Sequence, residues 1–76
     1  MDYVVLVKNI IESITDDSFD ITNENGIIKV LVTESDYGKL IGKGGATINA
    51  IRTLVDEAAS MHNDGFIKIE VEKREN

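Results

Sequence analysis

The first apolar residues of the chain recur at the spacing of one face of a helix. They stand three or four positions apart: Val4, Val7, Ile11 and Ile14. Residues 3–7 alone have the composition of a strand, but the longer spacing predicts a helix over residues 3–14, with Asp2 as its N-cap. Val5 and Leu6 widen the apolar face, which indicates burial on more than one side or contact with a partner.

Residues 18–33 have the pattern of a β-hairpin. Phe19 and Ile21 alternate with polar residues. The dipeptide Asn25-Gly26 is the strongest short signal for a hairpin turn, because both residues tolerate a positive φ. The nearly continuous apolar run at 27–32 predicts a central strand.

Two helices are predicted after this hairpin. Thr33 and Asp36 have the spacing of a capping box and start a short helix that runs to Ile41. Three glycines among residues 42–45 end it. Residues 46–61 then show the clearest helical periodicity of the chain. The residues predicted on the buried face of this helix are Ile48, Ile51, Leu54, Val55, Ala58 and Ala59.

Apolar and charged residues alternate over residues 66–72, which predicts a third strand. Its core-facing residues would be Ile67, Ile69 and Val71, and its solvent-facing residues Lys68, Glu70 and Glu72.

The predicted order of elements is therefore α-β-β-α-α-β. A right-handed crossover through the two later helices places the second and third strands in parallel. We predict an α+β fold with a three-stranded mixed sheet and three helices on one of its faces. It forms a single domain over residues 1–76, with frayed ends expected at 1–2 and 73–76.

Composition restricts the chemistry that the chain can perform. Its 76 residues include no cysteine, which excludes disulfides, cysteine-based zinc sites and thiol catalysis, and is compatible with a cytoplasmic location. There is one histidine, and no pair of acidic residues has a spacing that suggests a shared proton. No apolar run approaches the ~18 residues of a membrane-spanning helix. We therefore expect no enzyme activity, and no catalytic residue, metal site, cofactor, small-molecule substrate or membrane contact.

The candidate for chemistry is the glycine-rich segment between the two later helices, Gly42-Lys43-Gly44-Gly45. Glycines allow a sharp turn and the close approach of a ligand backbone, and the free N–H groups at the start of the following helix favour an anion. A Walker A loop would need Ser or Thr where Gly44 stands, and a dinucleotide fingerprint would need a third glycine at Thr47 and a preceding strand. The predicted ligand is a phosphate of a nucleic-acid backbone, which Lys43 would approach from the tip.

An aliphatic pair precedes this segment, and an isoleucine follows it. The run aliphatic-Ile-Gly-x-x-Gly-x-x-Ile is matched by Leu40, Ile41, Gly42, Gly45 and Ile48. With the order of the elements, this run resembles the K-homology (KH) domain in its type II, prokaryotic form, over essentially the whole chain. The length is similar to that of small bacterial RNA-binding proteins with a single KH domain. The resemblance implies that the loop clamps the backbone of about four nucleotides of single-stranded RNA, while the bases lie in a shallow apolar groove.

The resemblance also implies site residues and partners. The RNA-binding residues would be Gly42, Lys43, Gly44 and Gly45 in the loop, Lys39 and Arg52 on the adjacent helix turns, and Ile41 and Ile48, which with Ile67 or Ile69 would line or underlie the groove. Members of this small type associate with themselves and with a larger KH-containing protein. A homodimer, such a partner, or both are therefore expected.

The charge of the chain argues partly against this function. The net charge is −6, yet residues 36–55, which contain the loop, carry +2, against −5 before them and −3 after them. Few phosphate contacts imply weak binding. Two interpretations stay open: a weak, low-specificity module for single-stranded RNA, or a KH-fold protein-interaction subunit with little RNA affinity. For the loop, a plain turn between helices is the alternative to an anion site, and for Arg52 the alternative is an ion pair with Asp56.

Overall fold

The computed structural model describes residues 2–74, and the elements in this part of the chain follow the predicted order. They are α1 (Tyr3–Glu12), β1 (Asp20–Glu24), β2 (Ile27–Val32), α2 (Glu34–Ile41), α3 (Ala46–Met61) and β3 (Lys68–Lys73). A 3-10 turn, Lys43–Gly45, joins α2 to α3. The predicted α+β fold, with three helices and a three-stranded mixed sheet, is confirmed.

The sheet has the strand order β1-β2-β3. β1 and β2 pair antiparallel around Asn25 and Gly26, whose φ angles of 52° and 79° are both positive, as a two-residue hairpin turn requires. β2 and β3 pair in parallel, with Ile28 opposite Ile69. Since the parallel connection contains α2 and α3, the glycine-rich loop lies within the crossover between two neighbouring strands.

The core lies between one face of the sheet and the helices. Every second residue of β2 is buried, and Ile28, Val30 and Val32 are at most 1% exposed. These β2 residues form one hydrophobic cluster with buried aliphatic residues of the helices: Val7, Ile11, Leu40, Ile48, Ile51 and Val55. Each fully buried side chain of this kind contributes about 1.5–3 kcal/mol.

The prediction that Leu54 lies on the buried face of α3 is wrong. The buried residues of this helix are Ile48, Ile51, Val55 and Ala59, whereas Leu54 is 54% exposed. Leu54 lies about 100° around the helix from Val55, and therefore outside the arc that meets the sheet.

α1 is shorter than predicted. Asp2 caps it, as expected, by accepting the N–H of Val4 at 3.0 Å. The helix ends at Glu12 rather than at residue 14; Ser13 is its C-cap, and the Ser13 hydroxyl donates to the Ile10 carbonyl at 2.6 Å. The widened apolar face leaves Val5 50% exposed.

At the other end of the chain, the expected frayed segment 73–76 is wrong for its first two residues. Lys73 is part of β3, and the Arg74 N–H donates to the Val32 carbonyl at 2.6 Å. Residue 1 and residues 75–76, where fraying was also expected, lie outside the described residues.

The face of the sheet away from the helices carries charged residues, as predicted. Lys68 and Glu72 are exposed and Glu70 is half-buried. Lys29 lies 3.7 Å from Glu72, and Lys68 lies 3.9 Å from Glu70. Exposed pairs of this kind contribute about 0–1 kcal/mol each, so their main effect is to keep this face hydrated.

A buried carboxylate, that of Asp36, anchors the start of α2. The Thr33 hydroxyl accepts the Asp36 N–H at 3.3 Å, which is half of the predicted capping box. The Asp36 carboxylate instead accepts the N–H groups of Asp16 and Asp17 at 3.2 and 3.0 Å, and Lys39 lies 3.8 Å away. Burial alone would raise the pKa of Asp36, but these donors and Lys39 together hold it below its ordinary value.

Asp36→Asn should lower the melting temperature at about pH 7 by roughly 10 °C, because the amide can accept only one of the two N–H groups and presents an N–H to the other. In the parent protein, folding lowers the pKa of this carboxyl, so as the pH falls Asp36 is protonated at a higher pH in the unfolded chain than in the folded chain. The stability that Asp36 contributes is therefore complete above the ordinary carboxyl pKa of about 4 and is lost as the pH falls through the lower pKa of the folded state.

Circular dichroism melts between about pH 7 and pH 2 measure both effects. The control is Glu34→Gln, since the Glu34 side chain is 86% exposed and its replacement should leave the melting temperature nearly unchanged. A pH profile of Asp36→Asn parallel to that of the parent protein would contradict this role for Asp36.

Candidate nucleic-acid interface

Gly42 is the point where α2 ends and the chain turns toward α3. Its N–H donates to the Gly38 carbonyl at 3.0 Å, and its φ of 73° with ψ of 176° lies in a region that essentially only glycine occupies. A Cβ at this position would stand 2.4 Å from Thr47 Oγ1 and 2.9 Å from the Thr47 backbone nitrogen. The loop therefore passes directly against the first turn of α3, which no other residue type would permit.

The tip of the loop is open to solvent. Gly44 and Gly45 have φ angles of 63° and 82°, and the Gly45 N–H donates to the Gly42 carbonyl at 3.2 Å, which closes the turn. Lys43 and Gly44 are exposed, and a Cβ on Gly44 would meet nothing within 4 Å. A ligand backbone can therefore approach the tip closely.

α3 begins without a side-chain cap. Asp2 and Thr33 cap α1 and α2, but the N-cap of α3 is Gly45, and within residues 2–74 no side chain accepts a hydrogen bond at this end. The Ala46 N–H donates to the Lys43 carbonyl of the preceding turn, whereas the N–H groups that follow it have no side-chain acceptor, and the dipole of this 16-residue helix adds a positive potential at the same place. An anion at the loop would satisfy both.

Ion pairing distinguishes two basic side chains from the rest. Six of the eight lie within 4.0 Å of a carboxylate: Lys8, Lys29, Lys39, Lys68, Lys73 and Arg74. In the described part of the chain, Lys43 and Arg52 have no carboxylate partner within this distance. The two basic side chains that are not paired with a carboxylate therefore lie in the loop and in the helix that follows it.

Lys39 is not in this group, although the resemblance placed it in the RNA-binding set. Its ammonium group forms a hydrogen-bonded ion pair with Asp16 and lies 3.8 Å from Asp36. The hydrogen bond to Asp16 is the main reason why the pKa of Lys39 is raised above its ordinary value. Lys39 therefore holds the α1–β1 connection against α2, and its charge is already compensated.

Arg52 bridges α3 and β3. Its Nη2 donates to the Ile69 carbonyl at 3.1 Å. No carboxylate of residues 2–74 lies within 4.0 Å of Arg52, so the ion pair with Asp56, the alternative drawn from the sequence, is not formed. Between the two elements runs a groove of about 350 Å³, lined by Arg52, Asp56, Phe66, Ile67, Lys68 and Ile69. One wall is α3 and the other is the outer edge of β3.

The predicted apolar residues take different positions around this site. Ile48 is 4% exposed and belongs to the core, so it supports the loop from beneath. Ile41 is half-buried at the end of α2 and packs against the same core. Ile69 is buried, and Ile67 is half-buried in the wall of the groove.

Phe66 and Asp56 line the groove but were not among the predicted site residues. Phe66 is 75% exposed and precedes β3, which begins at Lys68 rather than at residue 66. The sequence did indicate that Phe66 is exposed, since the alternation that assigns Ile67, Ile69 and Val71 to the core places Phe66 on the opposite face.

Comparison with known proteins agrees with this geometry. The family model for the KhpA/KhpB KH domain matches residues 5–72. The chain belongs to this family. The KH domain that the glycine-rich loop resembled is thereby confirmed, and this family is defined by a binding domain rather than by a catalysed reaction.

Curated relatives of this KH domain include three chlamydial proteins named RNA-binding protein KhpA. Those of Chlamydia trachomatis and Chlamydia muridarum are each 38% identical over 69 residues, which cover 88% of this chain and 85% of the relative. That of Chlamydia caviae is 46% identical over 46 residues, or 60% of this chain and 55% of the relative. No solved structure gives a significant match.

Neither a membrane-spanning helix nor a cluster of metal ligands is found in the described part of this KH domain. None of its helices has the length and apolar character needed to cross a membrane. Across residues 2–74, no three or more His, Cys, Asp or Glu side chains come together in a way that could hold a metal ion.

Proposed function

We propose that this KH domain binds single-stranded RNA, with the phosphate backbone at the Gly42–Gly45 loop and the bases in the groove between α3 and β3. One observation carries the proposal: Lys43, beside the start of α3 that no side chain caps, and Arg52, about two turns along the same helix, are the basic side chains without a carboxylate partner in the described chain. The names of the curated relatives favour the same ligand.

Each part of the site has a distinct role in this proposal. The glycines keep side chains away from the RNA backbone, and the N–H groups at the start of α3 with Lys43 receive a phosphate. Arg52 uses one N–H on the Ile69 carbonyl and offers its other donors to the ligand. Ile41 and Ile48 support the loop and the adjacent groove. Since the charge of Lys39 is already compensated, we leave Lys39 out of the contact set.

Binding is expected to be weak and tolerant of sequence. A net charge of −6 opposes the approach of RNA, and two or three phosphate contacts are all that the unpaired cations and the helix start supply. With an RNA partner and no cysteine, the cytoplasm is the location that fits best.

The dependence of affinity on salt tests this proposal. For a single strand, two or three phosphate contacts predict that affinity falls about 7- to 20-fold between 50 and 200 mM salt. Fluorescence anisotropy of a labelled, unstructured RNA of eight nucleotides measures the affinity at both salt concentrations. No binding at low salt would overturn the proposal, and a fall of more than about 100-fold would show a far more extensive basic site than this one.

We also propose that the domain associates with itself or with a larger KH-containing protein, which would raise weak RNA affinity through avidity. The supporting observation is apolar surface on α3, where Leu54 is 54% and Met61 is 85% exposed. The two side chains are seven residues apart and so lie on the same side of the helix. The same surface favours the second candidate function, a protein-interaction subunit with little RNA affinity.

Leu54→Asp should shift a self-associated protein to the monomer, because it places a carboxylate in an apolar interface. Sedimentation velocity at tens of micromolar protein measures the change. Ala50→Asp, on the exposed surface one turn earlier, tests whether the interface extends toward the loop. A parent protein that is monomeric throughout this range would contradict self-association through α3.

A further inference from the structure

Phe66 occupies an unusual position for an aromatic residue. Its side chain is 75% exposed, and it lies outside the cluster of residues that form or pack against the core. It stands in the wall of the groove whose other lining residues include Arg52 and Asp56. The fold therefore gains little from this ring, which keeps its apolar faces available to a ligand.

We propose that Phe66 is a platform on which a base of the bound RNA stacks. The proposal rests on the RNA-binding function proposed above and assigns to it a residue that the glycine-rich loop does not include. Every nucleobase has a flat π-face, and aromatic side chains bind that face with little regard to sequence.

The charges of the groove determine which part of the RNA reaches Phe66. Asp56 follows Arg52 by one turn of α3 and lines the same groove. The Asp56 carboxylate repels a phosphate, whereas the Arg52 guanidinium attracts one. The RNA backbone is thus favoured near the loop and Arg52, and an uncharged base is favoured beyond them, beside Asp56 and Phe66.

The position of Phe66 along the groove separates it from the loop. Asp56 follows Gly45 by eleven residues of α3, which is about 16 Å along the helix axis. Phe66 shares the groove with Asp56, so the base that it receives would lie farther along the strand than the phosphate held at the start of α3. A volume of about 350 Å³ is at the lower end of ligand pockets and suits a base rather than a protein segment.

A tryptophan at this position provides a direct test. The chain contains no tryptophan, so Phe66→Trp introduces a single indole as the reporter. Titration with the eight-nucleotide RNA should quench its fluorescence at the same concentrations at which anisotropy reports binding. An abasic oligomer of the same length and charge should still bind weakly at the loop but should leave the fluorescence unchanged, since it offers no base to stack.

Two further variants separate aromatic stacking from simple apolar contact. Phe66→Ala should weaken RNA binding about 5- to 150-fold, the range that stacking of one base supplies. Phe66→Leu keeps an apolar side chain without a π-face and should lose nearly as much, whereas Phe66→Trp should bind at least as tightly as the parent. All three should melt within about 3 °C of the parent, because the ring is exposed.

The possible outcomes distinguish this proposal from the function on which it rests. If substitutions at the loop abolish binding but Phe66→Ala and Phe66→Leu bind like the parent, and the indole of the Phe66→Trp variant is not quenched, then stacking is overturned and RNA binding stands. If neither the loop nor Phe66 affects binding, the proposed function fails as well. If Phe66→Ala abolishes self-association in sedimentation while RNA affinity is unchanged, the ring serves a protein contact and the stacking proposal is wrong.

Discussion

A double substitution at the tip of the loop, Lys43→Asp with Gly44→Asp, is expected to weaken RNA binding at least about 100-fold while the domain stays folded. It removes one positive charge and adds two carboxylates where a phosphate would dock. At about 4 Å in water each charge contributes about 1 kcal/mol, so the three changes together amount to about 3 kcal/mol, or roughly two powers of ten in affinity. Anisotropy of the labelled eight-nucleotide RNA at low salt measures the loss.

The fold should tolerate this change. Lys43 is exposed, and a Cβ on Gly44 has nothing within 4 Å, so there is no clash. Gly44 has φ of 63° and ψ of 18°, which is the left-handed region that Asp and Asn tolerate better than other residues with a side chain. A melting curve of the variant close to that of the parent would establish that any loss of binding is local to the loop.

Lys43→Asn with Gly44→Asn is the matched control, since it has the same size and the same backbone preference but adds no negative charge. It should lose only the attraction of Lys43, about tenfold or less. If both double variants lose binding equally, the shape of the tip rather than its charge is decisive. If the Asp variant still binds like the parent, the RNA site lies elsewhere on the domain.

The sequence predicted every helix and strand because each has a local cause. Apolar residues at helical spacing recur through α3, and Asn25-Gly26 fixes the hairpin through its two positive φ angles. Two of the errors arose where tertiary packing decides. Leu54 fits the helical periodicity, but the arc that meets the sheet is narrower than the apolar stripe. Lys73 and Arg74 look like a polar tail, yet Lys73 pairs with Val32 of β2 and the Arg74 N–H donates to the Val32 carbonyl.

For the candidate site, the sequence was enough to locate the loop, but not to tell which basic side chains near it are already paired with carboxylates. Glycines at fixed spacing between two helices specify a turn and an uncapped helix start, which are local properties. Whether a lysine is available to a ligand depends on residues far along the chain. Asp16 lies 23 positions from Lys39 and binds it, while Lys43, four positions after Lys39, has no carboxylate partner in the described chain. No spacing rule distinguishes these two lysines.

Gly42→Ala is expected to remove a large part of the stability of the domain, a larger effect on folding than that of any substitution at the loop tip. The alanine would have to adopt φ of 73° and ψ of 176°, a combination that costs a residue with a side chain roughly 1–3 kcal/mol. Its Cβ would also stand 2.4 Å from Thr47 Oγ1 and 2.9 Å from the Thr47 nitrogen. The hydroxyl can rotate away, but the nitrogen belongs to the backbone of α3 and cannot move without shifting the helix.

Together these terms predict a loss of about 3–5 kcal/mol, against a total of roughly 4–11 kcal/mol for a domain of this size. Urea denaturation followed by circular dichroism measures the difference. Gly44→Ala is the control, because it also has a positive φ but meets open space, and it should lose only about 1–2 kcal/mol. Adding Thr47→Ala to Gly42→Ala should recover part of the loss by removing Oγ1 while leaving the contact with the nitrogen. Equal losses at Gly42 and Gly44 would mean that the loop does not press against α3.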